Sequence, residues 1–272
     1  SQFESWNKYS MSIENGYHRQ FSRNTLQLNN GNGVFSEISR LAGVHATDWS
    51  WGALMFDMDN DGLKDIFVAN GIYKDLINQD YVNFIANENS VRELIKSRKD
   101  VIKHLVDSIP SNKLSNFAFK NSNGFLFTNM TMNWGLGEAT HSNGSAYGDL
   151  DGDGDVDMVL NNVNMPASIY RNNSESLNPT NRTLSIELIG DGSNKNGIGA
   201  KVSVFVSNKV FFQEQSPMRG FMSSVDNKLH FGLGSVNGID SIMVEWSDFR
   251  ISKLIAPQLA FLKINQIDTL TI

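Results

Sequence analysis

The feature that most constrains this chain is a duplication. Residues 52–70, GALMFDMDNDGLKDIFVAN, align without gaps to residues 144–162, GSAYGDLDGDGDVDMVLNN, 92 positions later. The same offset carries Gly52 to Gly144, Asp57 to Asp149, Asp59 to Asp151, Asp61 to Asp153, Gly62 to Gly154 and Asp65 to Asp157. It extends upstream, pairing Asn24 with Asn116, Asn29 with Asn121, Phe35 with Phe127 and Gly43 with Gly135. One Asp-rich loop arises easily by chance. A match that persists through the flank marks a repeated structural unit, whose copies stack to share a core.

In each copy carboxylates stand at positions 1, 3, 5 and 9: Asp57, Asp59, Asp61 and Asp65, then Asp149, Asp151, Asp153 and Asp157. Like charges held so close repel, so the spacing predicts a bound cation. Gly62 and Gly154 at position 6 allow the sharp turn through which alternate side chains converge. The donors are oxygen alone, with neither His nor Cys, which selects a hard cation. Calcium, surrounded by about six to eight oxygens, suits such a loop better than magnesium. Backbone carbonyls of Leu63 and Asp155 at position 7 complete the two expected ligand sets. Two structural calcium ions are therefore predicted. An EF-hand or a dockerin would need a carboxylate at position 12, where this chain has Val68 and Leu160 in strand-like runs.

Short strands separated by polar turns account for the rest of each copy, at residues 26–28, 34–35 and 66–69, and again at 117–119, 125–127 and 158–160. Between the copies the texture changes. Apolar residues fall at helical spacing, from Leu76 and Ile77 through Tyr81, Phe84 and Ile85 to Leu105 and Val106. A Ser-x-x-Glu capping box at Ser90 and Glu93 and a stop at Pro110 frame two or three short helices, an insertion over 74–110 that would cover the sheet as a lid. From residue 181 onward, runs at 183–189, 201–206, 210–213, 228–231, 242–246 and 259–264 predict a second, all-β unit without the acidic loop. The polar stretch 171–180 suits a linker.

Composition narrows the partners. Hydrophobic residues make up 40% and charged residues 19%, as in a folded chain. The net charge of −6 and the lack of a basic patch interleaved with aromatics exclude a nucleic-acid partner. Lys96, Arg98, Lys99 and Lys103 cluster on a predicted helix as a solvated face. Cysteine is absent, which rules out thiolate chemistry and disulfides. No run of apolar residues reaches transmembrane length. The opening Ser1-Gln2-Phe3 and the alternating run at 267–272 suggest a piece of something longer.

No catalytic constellation is recognisable. His18, His45, His104, His141 and His230 lie in no metal or nucleophile motif, and Ser142-Asn143-Gly144-Ser145 is not a nucleophile elbow. Arg219-Gly220-Phe221 reads as a β-turn between strands, with a recognition tip as the alternative.

At the duplicated loops the sequence resembles the FG-GAP/VCBS repeat family of β-propellers, over roughly residues 20–175. Residues 181–254 resemble the ASPIC/UnbV domain found after such repeats, through Gly197-Ile198-Gly199-Ala200-Lys201-Val202, Arg219-Gly220-Phe221, Leu229-His230-Phe231-Gly232-Leu233-Gly234 and Val244-Glu245-Trp246. Where that family usually continues Trp-Pro-Asp-Gly, this chain has Trp246-Ser247-Asp248-Phe249, so a different turn is expected. The resemblance implies a mainly β fold, with partial propeller blades over 1–175 and a β-sandwich-like module over 181–272. The remaining blades would lie elsewhere in a parent chain. It also implies a secreted, periplasmic or cell-surface location. The function expected is a non-catalytic, calcium-stabilised binding or adhesion module for a glycan or protein. The alternative is part of a polysaccharide-acting enzyme or its accessory domain.

Overall fold

A computed structural model describes residues 6–19, 21–97, 100–258 and 260–266. The helix α1 (Trp6–Glu14) precedes a hairpin of β1 (Gln27–Asn29) and β2 (Phe35–Glu37), then a single helical turn, α2 (Ser39–Ala42). Strands β3 (Ser50–Phe56) and β4 (Asp65–Asn70) flank the first acidic loop. The insertion follows as α3 (Gln79–Ala86), α4 (Glu88–Ser97) and α5 (Val101–Asp107). The chain then returns through β5 (Leu114–Ser115), β6 (Phe117–Asn121), β7 (Phe127–Asn129) and β8 (Ala139–Thr140). Strands β9 (Ser142–Gly148) and β10 (Asp157–Asn162) flank the second loop, and β11 (Ser168–Tyr170) and α6 (Ser174–Leu177) follow.

The duplication is reproduced in three dimensions. β2, β3 and β4 recur 92 positions later as β7, β9 and β10 with identical lengths. Sheet and sequence repeat are nevertheless out of phase. One antiparallel sheet runs β3-β4-β6-β7 and the next runs β9-β10-β11, each a meander. Each sequence copy thus donates its first strands to one sheet and its last two to the next. The helical insertion enters between β4 and β6, inside a sheet.

β4 shows why the apolar run after the first loop is unbroken. All six of its residues are buried. Ile66 and Val68 face one core, with Ala42, Val44 and Phe119. Phe67 and Ala69 face the other, with Leu54, Phe56, Met158 and Leu160. A strand covered on both faces loses the alternation that a half-exposed strand would show.

The three helices depart from the expected lid. α3 and α5 bury no residue, and Leu76, Ile95 and Ile102 are exposed. The helices lean on one another instead, with the Tyr81 hydroxyl donating to Leu105 O at 3.2 Å. The capping box also fails. α4 begins at Glu88, so Ser90 lies inside it, and the side-chain cap belongs to Asn78, which accepts from the Asp80 and Tyr81 amides at the start of α3. Arg98 and Lys99 of the basic cluster lie outside the described residues, as do Leu259, residues 1–3 and residues 267–272.

The C-terminal strands form two facing sheets. β12 (Arg182–Ile189), β15 (Leu229–Gly234) and β18 (Phe261–Asn265) assemble in the order β15-β12-β18 once β13 (Lys201–Val206), β14 (Lys209–Glu214), β16 (Ser241–Glu245) and β17 (Ile251–Ile255) are set aside as the second sheet, β14-β13-β16-β17. Leu184, Ile186, Val202, Val204, Phe231, Ile242, Val244 and Trp246 fill the space between them. Alternation of inward apolar and outward polar residues, as in β13, is what a sandwich requires. β17 was not anticipated, because Ile251-Ser252-Lys253-Leu254-Ile255 is mixed in character. It is held by its register with β16 and by the Trp246 indole N–H, which donates to Ser252 Oγ at 2.8 Å.

The β16–β17 turn has a geometry that glycine would favour. Phe249 sits at φ 67 and its amide donates to Trp246 O at 2.9 Å, with the ring 84% exposed. A bulky side chain in the left-handed region is strained, and here it gains no packing in return. We expect Phe249→Gly to raise stability by about 0.5–1 kcal/mol, less than the full left-handed penalty because glycine also frees the unfolded chain. Urea denaturation at equilibrium measures it; an unchanged or lower midpoint would contradict the strain.

Candidate metal sites

Both acidic loops are built alike, from the backbone outward. The position-6 glycines adopt φ 94 and φ 98. In the first loop the Asp57 carboxylate accepts from the Gly62 amide at 2.8 Å and the Asp61 carboxylate from the Leu63 amide at 2.9 Å. In the second, Asp149 accepts from the Gly152 amide at 2.7 Å and Asp153 from the Asp155 amide at 3.2 Å.

The last aspartate of each loop is a buried strut. Asp65 accepts from the Met58 amide at 2.9 Å and, across the sheet, from the Asn121 amide at 2.8 Å. Asp157 repeats this with the Leu150 amide at 2.9 Å and the Asn172 amide at 2.8 Å. Each carboxylate thereby ties the loop to the third strand of its sheet.

The end of that third strand, or the residues just beyond it, also brings a cation. Lys120, beside Asn121, contacts the carboxylates of both Asp59 and Asp61, the latter at 3.0 Å. Arg171, beside Asn172, bonds Asp151 at 2.7 Å and Asp153 at 3.2 Å. The two basic residues are structural equivalents, yet they fall outside the 92-residue offset because the helical insertion separates Lys120 from its loop and has no counterpart between the second loop and Arg171. Only the recurring basic-Asn dipeptide, Lys120-Asn121 and Arg171-Asn172, could have revealed them in the sequence.

Of the expected ligands, Asp57, Asp59 and Asp61 converge, with oxygens mutually within 4.8 Å. Asp65 is not in that group. In the second loop Asp149, Asp151 and Asp157 converge, while Asp153 joins Asp155 and Glu175 in a separate cluster. Asp155, expected to offer its backbone carbonyl, thus also contributes a buried carboxylate, and Glu175 of α6 was not foreseen.

The donor sets fit a hard dication. A single ammonium or guanidinium leaves each loop with excess negative charge, and Asp59 Oδ1 and Asp155 Oδ1 are buried without a hydrogen-bond partner. Burial pushes the Asp57 carboxyl up to about 8, aided by the charges of Asp65, Asp61 and Asp59. Burial likewise raises Asp65 to about 7.

The first loop is enclosed. Its neighbours across the junction are β15 and the segment that leads into the sandwich. The Gly234 amide donates to Asn60 O at 2.9 Å and Asn181 Nδ2 to Asp59 O at 3.0 Å. Asn172 Nδ2 and Ser174 Oγ both donate to Met58 O, at 2.8 Å and 2.9 Å. The polar stretch read as a linker is therefore stitched to the loop. Residues 219–223 approach the repeat strands as well. Phe221 packs on Trp51 with ring centroids 5.2 Å apart, and its backbone lies against the duplicated Gly52 and Gly144. His230, packed beneath, hydrogen-bonds Ser185 Oγ at 3.0 Å.

These raised carboxyl values set a pH dependence. A folded carboxyl that ionises only near pH 7–8 holds a proton that the unfolded chain has already lost. Without a divalent cation, stability should be greatest below the ordinary carboxylate range and fall as pH rises toward about 8. Calcium should flatten that decline. Denaturation at stepped pH, in EDTA and in calcium, measures it; parallel curves would refute the linkage.

Comparison with known proteins agrees with this geometry. A search of curated proteins finds no match. Residues 15–68 match the FG-GAP-like repeat family, and residues 190–270 match the ASPIC and UnbV family. The second copy of the repeat lies outside the matched segment but shares its strands and loop. The chain has the architecture of FG-GAP-like repeats followed by a C-terminal ASPIC/UnbV domain.

Proposed function

We propose that this chain is a non-catalytic, calcium-stabilised binding module of a secreted or cell-surface protein, and that its ligand is a glycan or protein. FG-GAP-like repeats and the ASPIC/UnbV domain mark a binding or adhesion type of module, and FG-GAP repeats are typically extracellular. No described helix is long and apolar enough to cross a membrane. In this reading residues 1–175 form propeller blades with an insertion over 74–110, and 181–272 form the ASPIC/UnbV module.

The observation that carries the binding role is a groove of about 290 Å³ at the junction. It is lined by Asn143, Ser145, Asn161, Phe221, Met222 and Ser223 among others, and no carboxylate lines it. Amides and hydroxyls beside exposed apolar side chains suit a neutral polar ligand such as a sugar, whose ring faces are apolar and whose edges hydrogen-bond. Met222 is 93% exposed at φ 46, so it stands at the rim without serving the core.

Two measurements test this. Calcium should raise the melting temperature and EDTA reverse the rise, because an ion bound only by the folded chain stabilises it by mass action; no shift would defeat the calcium reading. On an array of polysaccharides and extracellular proteins, Met222→Arg should lower retention of whatever the native chain captures by about tenfold, equivalent to one rim contact of roughly 1.4 kcal/mol. Undiminished capture would place the binding surface elsewhere.

A further inference from the structure

The two acidic loops share a sequence pattern and a fold, yet their surroundings differ. The second is more open: Asp151, Gly152 and Asp153 are exposed, a methyl group built on Gly152 would meet nothing within 4 Å, and one on Gly154 would meet the flexible hydroxyl of Thr183 at 3.2 Å and no backbone. The first is roofed by β15, with Met58 and Asn60 buried. A methyl group on Gly232 would overlap the Asp57 carboxylate, and one on Gly234 would come within 2.7 Å of Asp61 O. Opposite them, the aromatic ring of Phe211 lies 2.9 Å from the place a side chain on Gly62 would fill. An approach this close of the β15 backbone to Asn60 and Asp61 requires glycine at 232 and 234.

We propose that the Gly-Leu-Gly end of β15 is the roof of the first acidic loop, so that cation binding there and docking of the ASPIC/UnbV domain are one linked equilibrium. This rests on the calcium reading above. Undocking would expose Asp57 to water and break the Gly234–Asn60 and Asn181–Asp59 hydrogen bonds, which hold the loop backbone in its folded path. Conversely, an empty loop leaves three converging carboxylates against the roof with the single ammonium of Lys120 to offset them, which favours undocking. By reciprocity, whatever factor docking adds to cation affinity, the cation adds to docking. The duplicated loops would then differ in role. The first reports on the domain junction, and the second binds its ion independently.

Calorimetric titration of the full chain with calcium, combined with hydrogen exchange at the Gly234 amide, tests this. The native chain should show two classes of site, and calcium should slow exchange at Gly234 at least tenfold. Gly232→Ala should weaken one class at least tenfold and leave the other unchanged. Asp151→Asn should do the reverse and leave Gly234 protection as it is. Should Gly232→Ala fail to fold, exchange at Gly234 in the native chain still decides. Two sites with no calcium effect on Gly234 would overturn the linkage while sparing the calcium reading. No calcium binding at either loop would overturn both.

Discussion

Confinement of like charge is the constraint around which the rest of the molecule is organised. Three carboxylates converge in each loop, and at the first loop burial withholds the water that would otherwise screen them. The fold answers with several separate devices. Backbone amides point at the carboxylates, a basic side chain arrives from the end of the third strand or just beyond it, and oxygen atoms are left over for a cation. The last aspartate is diverted into two backbone hydrogen bonds and so acts as a brace between loop and sheet.

The first loop also touches a second sheet. Because it abuts β15, the ASPIC/UnbV domain is more than an appendage. Its glycines meet the loop, its Phe221 meets Trp51, and the segment carrying Asn172 and Ser174 grips Met58 O. The glycines at 52 and 144 also gain a reason. They read in the sequence as fixed points of the repeat, and in the structure they are where another backbone lies against β3 and β9.

Much of this was legible from residues alone. The duplication located the two acidic loops and the strands that follow them, β4 and β10, while β3 and β9, which lead into the loops, were not anticipated as strands. Alternation exposed most of the sandwich. What stayed hidden depended on contacts between distant segments. Lys120 and Arg171 are equivalent only in space, because the insertion breaks their register in the sequence. β17 is too mixed to declare itself and is fixed by β16. The apolar spacing of residues 75–109 correctly indicated helices, but periodicity cannot say what a face packs against, and the expected lid was not found. At the Trp246-Ser247-Asp248-Phe249 turn, where a different turn was expected, the backbone places Phe249 in the left-handed region.

The phase difference between repeat and sheet has a consequence for how such chains can be cut or lengthened. A segment bounded by the sequence repeat begins in the middle of one sheet and ends in the middle of another, so excising it would leave two torn edges, each with unpaired backbone amides and carbonyls. A boundary after β7, between residues 130 and 138, would release a complete four-stranded sheet instead. The unit that duplication copies and the unit that folds are therefore different objects. Neighbouring sheets in such an array are interlocked by descent as well as by packing.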